Sequence, residues 1–228
     1  MADRNTYALL STRVYAALRG VNEIFIPTGW TELPEFIDNG LTGLYACAYR
    51  NNTTGEIVIA FRGTNTTITD GTLQDWATNI SSGLGVPNPQ IAQAMQFYLD
   101  IKATYGASGG SNISFTGHSL GGGIASLMAV FFDKPATVFD EAPFQPTAIN
   151  PITVAAYAGL VPSALLDPDF LVCQLNPLSI GLIFNGREEN VTHYYLEGEA
   201  VGIIRTGLNG IIGASSDHVL RLGQSTSS

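Results

Sequence analysis

Gly117-His118-Ser119-Leu120-Gly121 sets a serine between glycines at the spacing G-x-S-x-G. That pattern presents a hydroxyl on a sharp turn from a strand into a helix, where it can attack a carbonyl carbon. The flanks fit such a turn: the apolar stretch 113–116 precedes it, and a small, apolar run, 120–132, follows. A nucleophile there is forced toward positive φ, and Gly117 and Gly121 leave room for the strained backbone. Gly122 and Gly123 are expected to let the helix lie close to the sheet, its N-terminus facing the negative charge that develops on the carbonyl oxygen. The pattern recurs at Gly106-Ala107-Ser108-Gly109-Gly110, where it closes a helix and runs into further turn residues, which predicts a loop. A Gly-rich strand-to-helix connection without chemistry is the bland alternative for the first copy.

Two further elements lie upstream, Phe61-Arg62-Gly63-Thr64 and Asp75-Trp76. With Gly117-His118-Ser119-Leu120-Gly121-Gly122-Gly123, in order and spacing and with the hairpin before them, they resemble the F-R-G-T/S, D-W or N-W and elbow motifs of the class 3 lipases and related Mbeg1-like α/β-hydrolases. The resemblance covers residues 40–145 closely and the rest loosely. It implies the α/β-hydrolase fold and a serine ester hydrolase acting on lipid-like carboxylic esters through an acyl-enzyme. One oxyanion donor is the backbone N–H of Leu120, the residue after the nucleophile. The resemblance places the second at Thr64, through its backbone N–H and its hydroxyl. Losing one such donor typically costs about 10²–10³ in rate. Arg62 and Asp75 are expected to brace this loop and Trp76 to belong to the core, none with a catalytic role.

A serine hydroxyl needs a neighbouring base, most often histidine. The chain holds three, His118, His193 and His218. His118 adjoins the nucleophile in a tight turn and is read as structural. His193 lies in the apolar run Val191-Thr192-His193-Tyr194-Tyr195, where alternation makes it a satisfied sheet residue. His218, in the polar stretch Ser215-Ser216-Asp217-His218, follows the order Ser, acid, His of this fold and is the expected base, with His193 the alternative. The orienting acid should sit just past the last strong strand, where Glu197 and Glu199 both qualify. The family often shows G-D-x-V here, and Gly198-Glu199-Ala200-Val201 fits with Glu replacing Asp. Glu199 is therefore the expected acid, then Glu197, then Asp140 or Asp167. Asp217 adjoins His218, and consecutive side chains rarely aim at one another.

These residues need elements to hold them. Helical spacing over 4–18 and again over 91–102, a hairpin of 43–49 with 56–61, short strands at 113–116 and 136–139, a helix at 120–132 and a strand at 191–196 predict an α/β sheet covered on both faces. Residues 63–89 read as loop with one short helix around 73–80. Residues 146–186 are apolar but broken by Pro151, Pro162, Pro168 and Pro177, which predicts short helices that either cap the site with an acyl pocket or are simply part of the hydrophobic core. The chain reads as one domain over 1–223 with a Ser/Thr tail at 224–228.

Composition bounds the rest. The 228 residues are 45% hydrophobic and only 13% charged, which excludes a disordered chain. The formal charge of −9 makes nucleic acid and anionic membrane poor partners, and leaves neutral lipid-like esters open. Cys47 and Cys173 cannot make a disulfide framework or a zinc cage and are read as free thiols, and no metal or cofactor is implied. No apolar run reaches the roughly 20 residues of a membrane span, so no stable anchor is expected. The first residues lack a signal-peptide layout. Secretion is nonetheless expected by analogy with exported lipase-like modules, with a cytoplasmic chain as the alternative. Phospholipase A1, thioesterase and acyltransferase use the same triad. A hydrolase-like fold that only binds is the reading of another class.

Overall fold

The computed structural model describes residues 1–16, 24–63, 87–106, 112–142, 144, 151–175, 184–196 and 217–220. Among them seven strands form one sheet in chain order: β1 Trp30–Asp38, β2 Tyr45–Asn51, β3 Ile57–Phe61, β4 Ile113–His118, β5 Ala136–Phe139, β6 Val191–Leu196 and β7 Asp217–Leu220. The pairs β1–β2 and β2–β3 are antiparallel, and every pair from β3 to β7 is parallel.

The hairpin closes as its turn residues require. Asn51 Oδ1 accepts from the Thr53 and Thr54 amides, and Gly55 takes φ 74°. Its strands alternate between two cores. Ala46 and Ala48 with Ile57, Ile59 and Phe61 face one side, and Cys47 and Tyr49 with Val58 and Ala60 face the other. Both faces are thus covered, as a largely parallel sheet demands. The two cysteines belong to opposite cores and are both free. Burial pushes the Cys47 thiol up to about 12 and the Cys173 thiol up to about 11.

The second of these cores lies under helix α1, Arg4–Arg13, which buries Tyr7 and Leu10. Asp3 caps it by accepting from the Thr6 amide, and that bond holds the Asp3 carboxyl below its usual range. The periodicity predicts a helix to residue 18. The helix α1 ends at Arg13, where the Tyr15 amide bonds to the Thr12 carbonyl in a tightened last turn, and residues 17 and 18 lie outside the described residues. On the opposite face lie α2, Pro89–Tyr105, and α3, Leu120–Phe132. All thirteen residues of α3 are buried, so its apolar run marks a helix enclosed on every side. The stretch after β5 makes α4, Pro151–Leu160, a 3₁₀ turn, Pro162–Leu166, and α5, Pro168–Leu175. Each begins on the proline that interrupts the run, because proline lacks the amide that a first helical turn leaves unpaired anyway.

Two strands depart from the sequence-based expectation. The edge strand β1 has no counterpart in the sequence reading: Pro34 and the acidic residues Glu32, Glu35 and Asp38 interrupt its apolar pattern, and its register shifts between Glu32 and Phe36. Residues 215–218 read as a polar stretch with no strand assigned, yet Asp217–Leu220 pairs with β6, a four-residue strand with only two apolar residues to reveal it.

A buried pair ties β6 to the segment after β5. His193 Nδ1 and Glu141 Oε1 stand 2.6 Å apart with the residues 2% and 1% exposed, and the Phe144 ring stacks on the imidazole. Removing one partner of a buried pair costs about 3–5 kcal/mol, because the other is left uncompensated. Glu141→Ala should therefore lower Tm by about 6–20 °C, measured by calorimetry. A shift below 2 °C would show that the pair contributes nothing.

Candidate functional site

The turn between β4 and α3 is where chemistry is best placed. Ser119 has φ 56° and ψ −124°, a conformation that L-residues adopt only at a cost of about 1–3 kcal/mol. Its backbone is held on both sides. The Ser119 amide donates to the Phe139 carbonyl at 3.0 Å, and the Ser119 carbonyl accepts from the Ala142 amide at 2.9 Å and the Gly123 amide at 3.1 Å. A β-carbon on Gly117 would overlap the Gly121 backbone, and one on Gly121 would overlap the Phe61 carbonyl. The glycines flanking Ser119 are therefore dictated by backbone contact, as the spacing implied. Gly122 and Gly123 admit a second neighbour besides the sheet. A β-carbon on Gly122 would lie 3.3 Å from the Gly117 carbonyl of β4 but only 2.5 Å from Glu141 Cβ, and one on Gly123 would lie 2.9 Å from the Ala142 carbonyl, so both make room chiefly for the 141–142 segment.

Ser119 stands at the N-cap position of α3, yet its side chain makes no capping hydrogen bond. A serine at this position ordinarily turns its hydroxyl back onto the helix amides, from an extended backbone. The positive φ prevents that, and it leaves Oγ uncommitted at the positive end of a thirteen-residue helix with no acidic residue in its first turn. The Leu120 amide, at the first helical position, has no intrahelical partner by construction.

The other candidates are distributed unevenly. His118 is exposed and meets the Tyr15 ring edge-on, with centroids 6.4 Å apart. His193 is enclosed with Glu141, a satisfied sheet residue. His218 lies in β7, where its register partner is Tyr194; Tyr194 in turn faces Phe139, and Phe139 faces His118. Its backbone is thus three strands from β4, about 14 Å across the sheet at the usual strand spacing. Asp140 ends β5 at φ 43° and donates its amide to Tyr194. Asp167 is buried, holds Lys102 at 2.7 Å and accepts the amides of Asp169 and Phe170, which makes it a helix cap. Asp217 lies opposite His193 in the β6–β7 register. Thr64, Asp75, Trp76, Glu197, Glu199 and the second G-x-S-x-G copy lie outside the described residues.

Two buried charged residues at the ends of α3 carry no motif in the sequence. Glu141 reaches a histidine 52 positions away. The guanidinium of Arg187 donates to the carbonyls of Val130, Phe131 and Asp169, closing the last turn of α3. Glu141 had one legible sign, its place just beyond a strand's carboxyl end; Arg187 had none. A cleft of about 340 Å³ opens at the ends of β5 and β6, lined by Arg4, Ala8, Phe139, Asp140, Tyr194 and Tyr195 among others. Among the described residues, no helix is long and apolar enough to cross a membrane.

Solved structures with this architecture include lipase II from Rhizopus niveus, at 15% identity and TM-score 0.51, covering 97% of this chain and 80% of that one. The Rhizomucor miehei lipase propeptide complex matches at 15% identity and TM-score 0.51, over 95% of this chain and 67% of that one. They show an α/β-hydrolase fold. An extracellular phospholipase A1 of Serratia liquefaciens is 29% identical over 117 residues, 51% of this chain, and the chain spans only 33% of that protein's length. Residues 6–225 match the phospholipase-like family described as the Tle-like phospholipase domain, and the chain belongs to that family.

Proposed function

We propose that this domain is a serine ester hydrolase that cleaves carboxylic esters of lipid-like molecules through an acyl-enzyme. The observation that carries the reading is the Ser119 hydroxyl, withheld from helix capping by a positive φ and set beside the Leu120 amide. Ser119 Oγ attacks the ester carbonyl while His218 takes its proton, and Glu199 fixes the imidazole tautomer and stabilises the imidazolium. The amide of Leu120 and Thr64 hold the oxyanion. Water, activated by the same histidine, then releases the acid.

Elimination supports His218: His193 is enclosed with Glu141, and His118 is exposed against Tyr15. The separation of three strands stands against it. His193 is the second reading, favoured because a carboxylate already engages its Nδ1, as in the acid–histidine half of a triad. His218→Ala and His193→Ala, compared per folded molecule, decide between them.

Family membership and the Serratia relative favour phospholipid esters hydrolysed at the first acyl position, and the F-R-G-T and elbow motifs favour the narrower class 3 or Mbeg1-like kinship. The charge of −9 favours neutral or zwitterionic surfaces over anionic ones. Export from the cell is part of the same proposal, on the strength of that extracellular relative. The apolar helices α4 and α5 are the candidate acyl-side cap.

Ser119→Ala should reduce turnover of p-nitrophenyl acyl esters and phosphatidylcholine by at least about 10³-fold with an unchanged circular dichroism spectrum, and abolish fluorophosphonate labelling. Surviving activity would remove Ser119 from the mechanism, and a wild type that never labels would leave a binding module. A base histidine must be neutral to accept the proton, so kcat/KM should fall as pH drops through about 6.5. A profile flat to pH 5 would exclude a histidine of ordinary basicity.

A further inference from the structure

We propose that Tyr15 is a positioning residue for the oxyanion side of the site, an inference that rests on Ser119 being the nucleophile. The parallel ladder between β3 and β4 ends at the pair Phe61 and Gly117. Beyond it the chain from β3 must be held by other means. The Arg62 amide donates back to the Tyr45 carbonyl of β2, and the Arg62 guanidinium lies 4.4 Å from the centre of the Tyr45 ring. The next amide, that of Gly63, donates to the Tyr15 hydroxyl at 2.8 Å, a bond that spans 48 positions in the sequence. The same tyrosine sets its ring edge-on to His118 at the end of β4. One side chain thus touches both strand ends at the point where their ladder has stopped.

The gap that Tyr15 fixes is a narrow one. A β-carbon on Gly63 would lie 2.6 Å from the Tyr15 hydroxyl, 2.9 Å from the His118 carbonyl and 3.5 Å from the Leu120 nitrogen. Gly63 is therefore pressed between the phenol and the first amide of α3, the amide to which the proposed mechanism gives the oxyanion. Thr64 is joined to it by one peptide bond. Oxyanion donors act only when held about 2.7–3.1 Å from the position of the developing charge, and a misplacement near 1 Å costs up to about 10²-fold. The phenol carries out no proton transfer. It keeps the end of β3 from drifting relative to the elbow.

Tyr15→Phe keeps the ring and its contact with His118 and removes the hydroxyl that accepts from the Gly63 amide. In steady-state assays with p-nitrophenyl esters it should lower kcat by about 10–100-fold and leave KM within about threefold. Affinity for a trifluoromethyl ketone, which forms a tetrahedral oxyanion on the serine, should fall by the same factor as kcat. A role confined to stability would lower Tm and leave both the kcat and the ketone affinity of the folded fraction unchanged, and that result overturns the proposal. Tyr15→Leu, which also removes the ring, should show at least the same loss of ketone affinity. If Ser119→Ala keeps its activity, or the wild type has none, the nucleophile reading fails and this inference falls with it. If wild type depends on Ser119 and Tyr15→Phe matches it in kcat and ketone affinity, only the role of Tyr15 falls.

Discussion

The hydrogen bonds on either side of Ser119 constrain the rest of the molecule. A left-handed backbone at a non-glycine residue costs about 1–3 kcal/mol, comparable with what three hydrogen bonds of about 0.5–1.5 kcal/mol each return. For the Phe139 carbonyl to receive the Ser119 amide, β5 must lie beside β4 in the observed register. For the Ala142 amide to reach the Ser119 carbonyl, the chain leaving β5 must fold over the first turn of α3. Glycine at 122 and 123 then follows, since side chains there would displace that segment. One strained residue thus accounts for a strand neighbour, a loop path and several small residues.

That geometry explains why the hydroxyl is open to chemistry. Serine before a helix is ordinarily a structural residue, because from an extended backbone its oxygen caps the helix. At Ser119 the oxygen is denied that bond, and the first turn of α3 contains no carboxylate to neutralise its positive end. Several buried charges among the described residues engage partners of their own: Glu141 with His193, Asp167 with Lys102, and Arg187 with three carbonyls. The helix dipole is thereby left to act on whatever occupies the space beside Ser119 and Leu120.

Much of the frame was legible because local patterns and tertiary needs coincide. The hairpin, the helix at 120–132 and the strands at 136–139 and 191–196 all fall where periodicity and turn residues put them. A buried strand and an enclosed helix must be apolar whatever surrounds them, so their signal survives the absence of structure. The signal failed where pairing, not composition, makes the strand. The edge strand β1 carries Pro34 and charges because one side of it needs no partner, and β7 is four residues long. The site divided along the same line. Ser119 is recognisable from its immediate neighbours, since the glycines that the turn demands all lie within four residues of it. Glu141 is not, because its partner lies 52 positions on in the next strand and no spacing rule connects Asp140-Glu141 to His193.

The two faces of the sheet brace the elbow separately. The α3 side holds it through the 140–142 segment, which is itself fastened by the Glu141–His193 pair and by the Asp140 amide on Tyr194. The α1 side holds it through Tyr15, just beyond the helix, which touches Gly63 and His118. The first brace acts on the carbonyl of Ser119 and the second on the strand end beside the Leu120 amide, so damage to them should be separable in kind. Loss of the first loosens β5 and β6 and with them the fold, whereas loss of the second leaves the sheet intact and alters only the distance between β3 and the elbow. An N-terminal helix that buries just a few side chains can therefore bear on the backbone beside Ser119, more than one hundred residues away, because a phenol just beyond its end reaches an amide that the sheet has left unpaired.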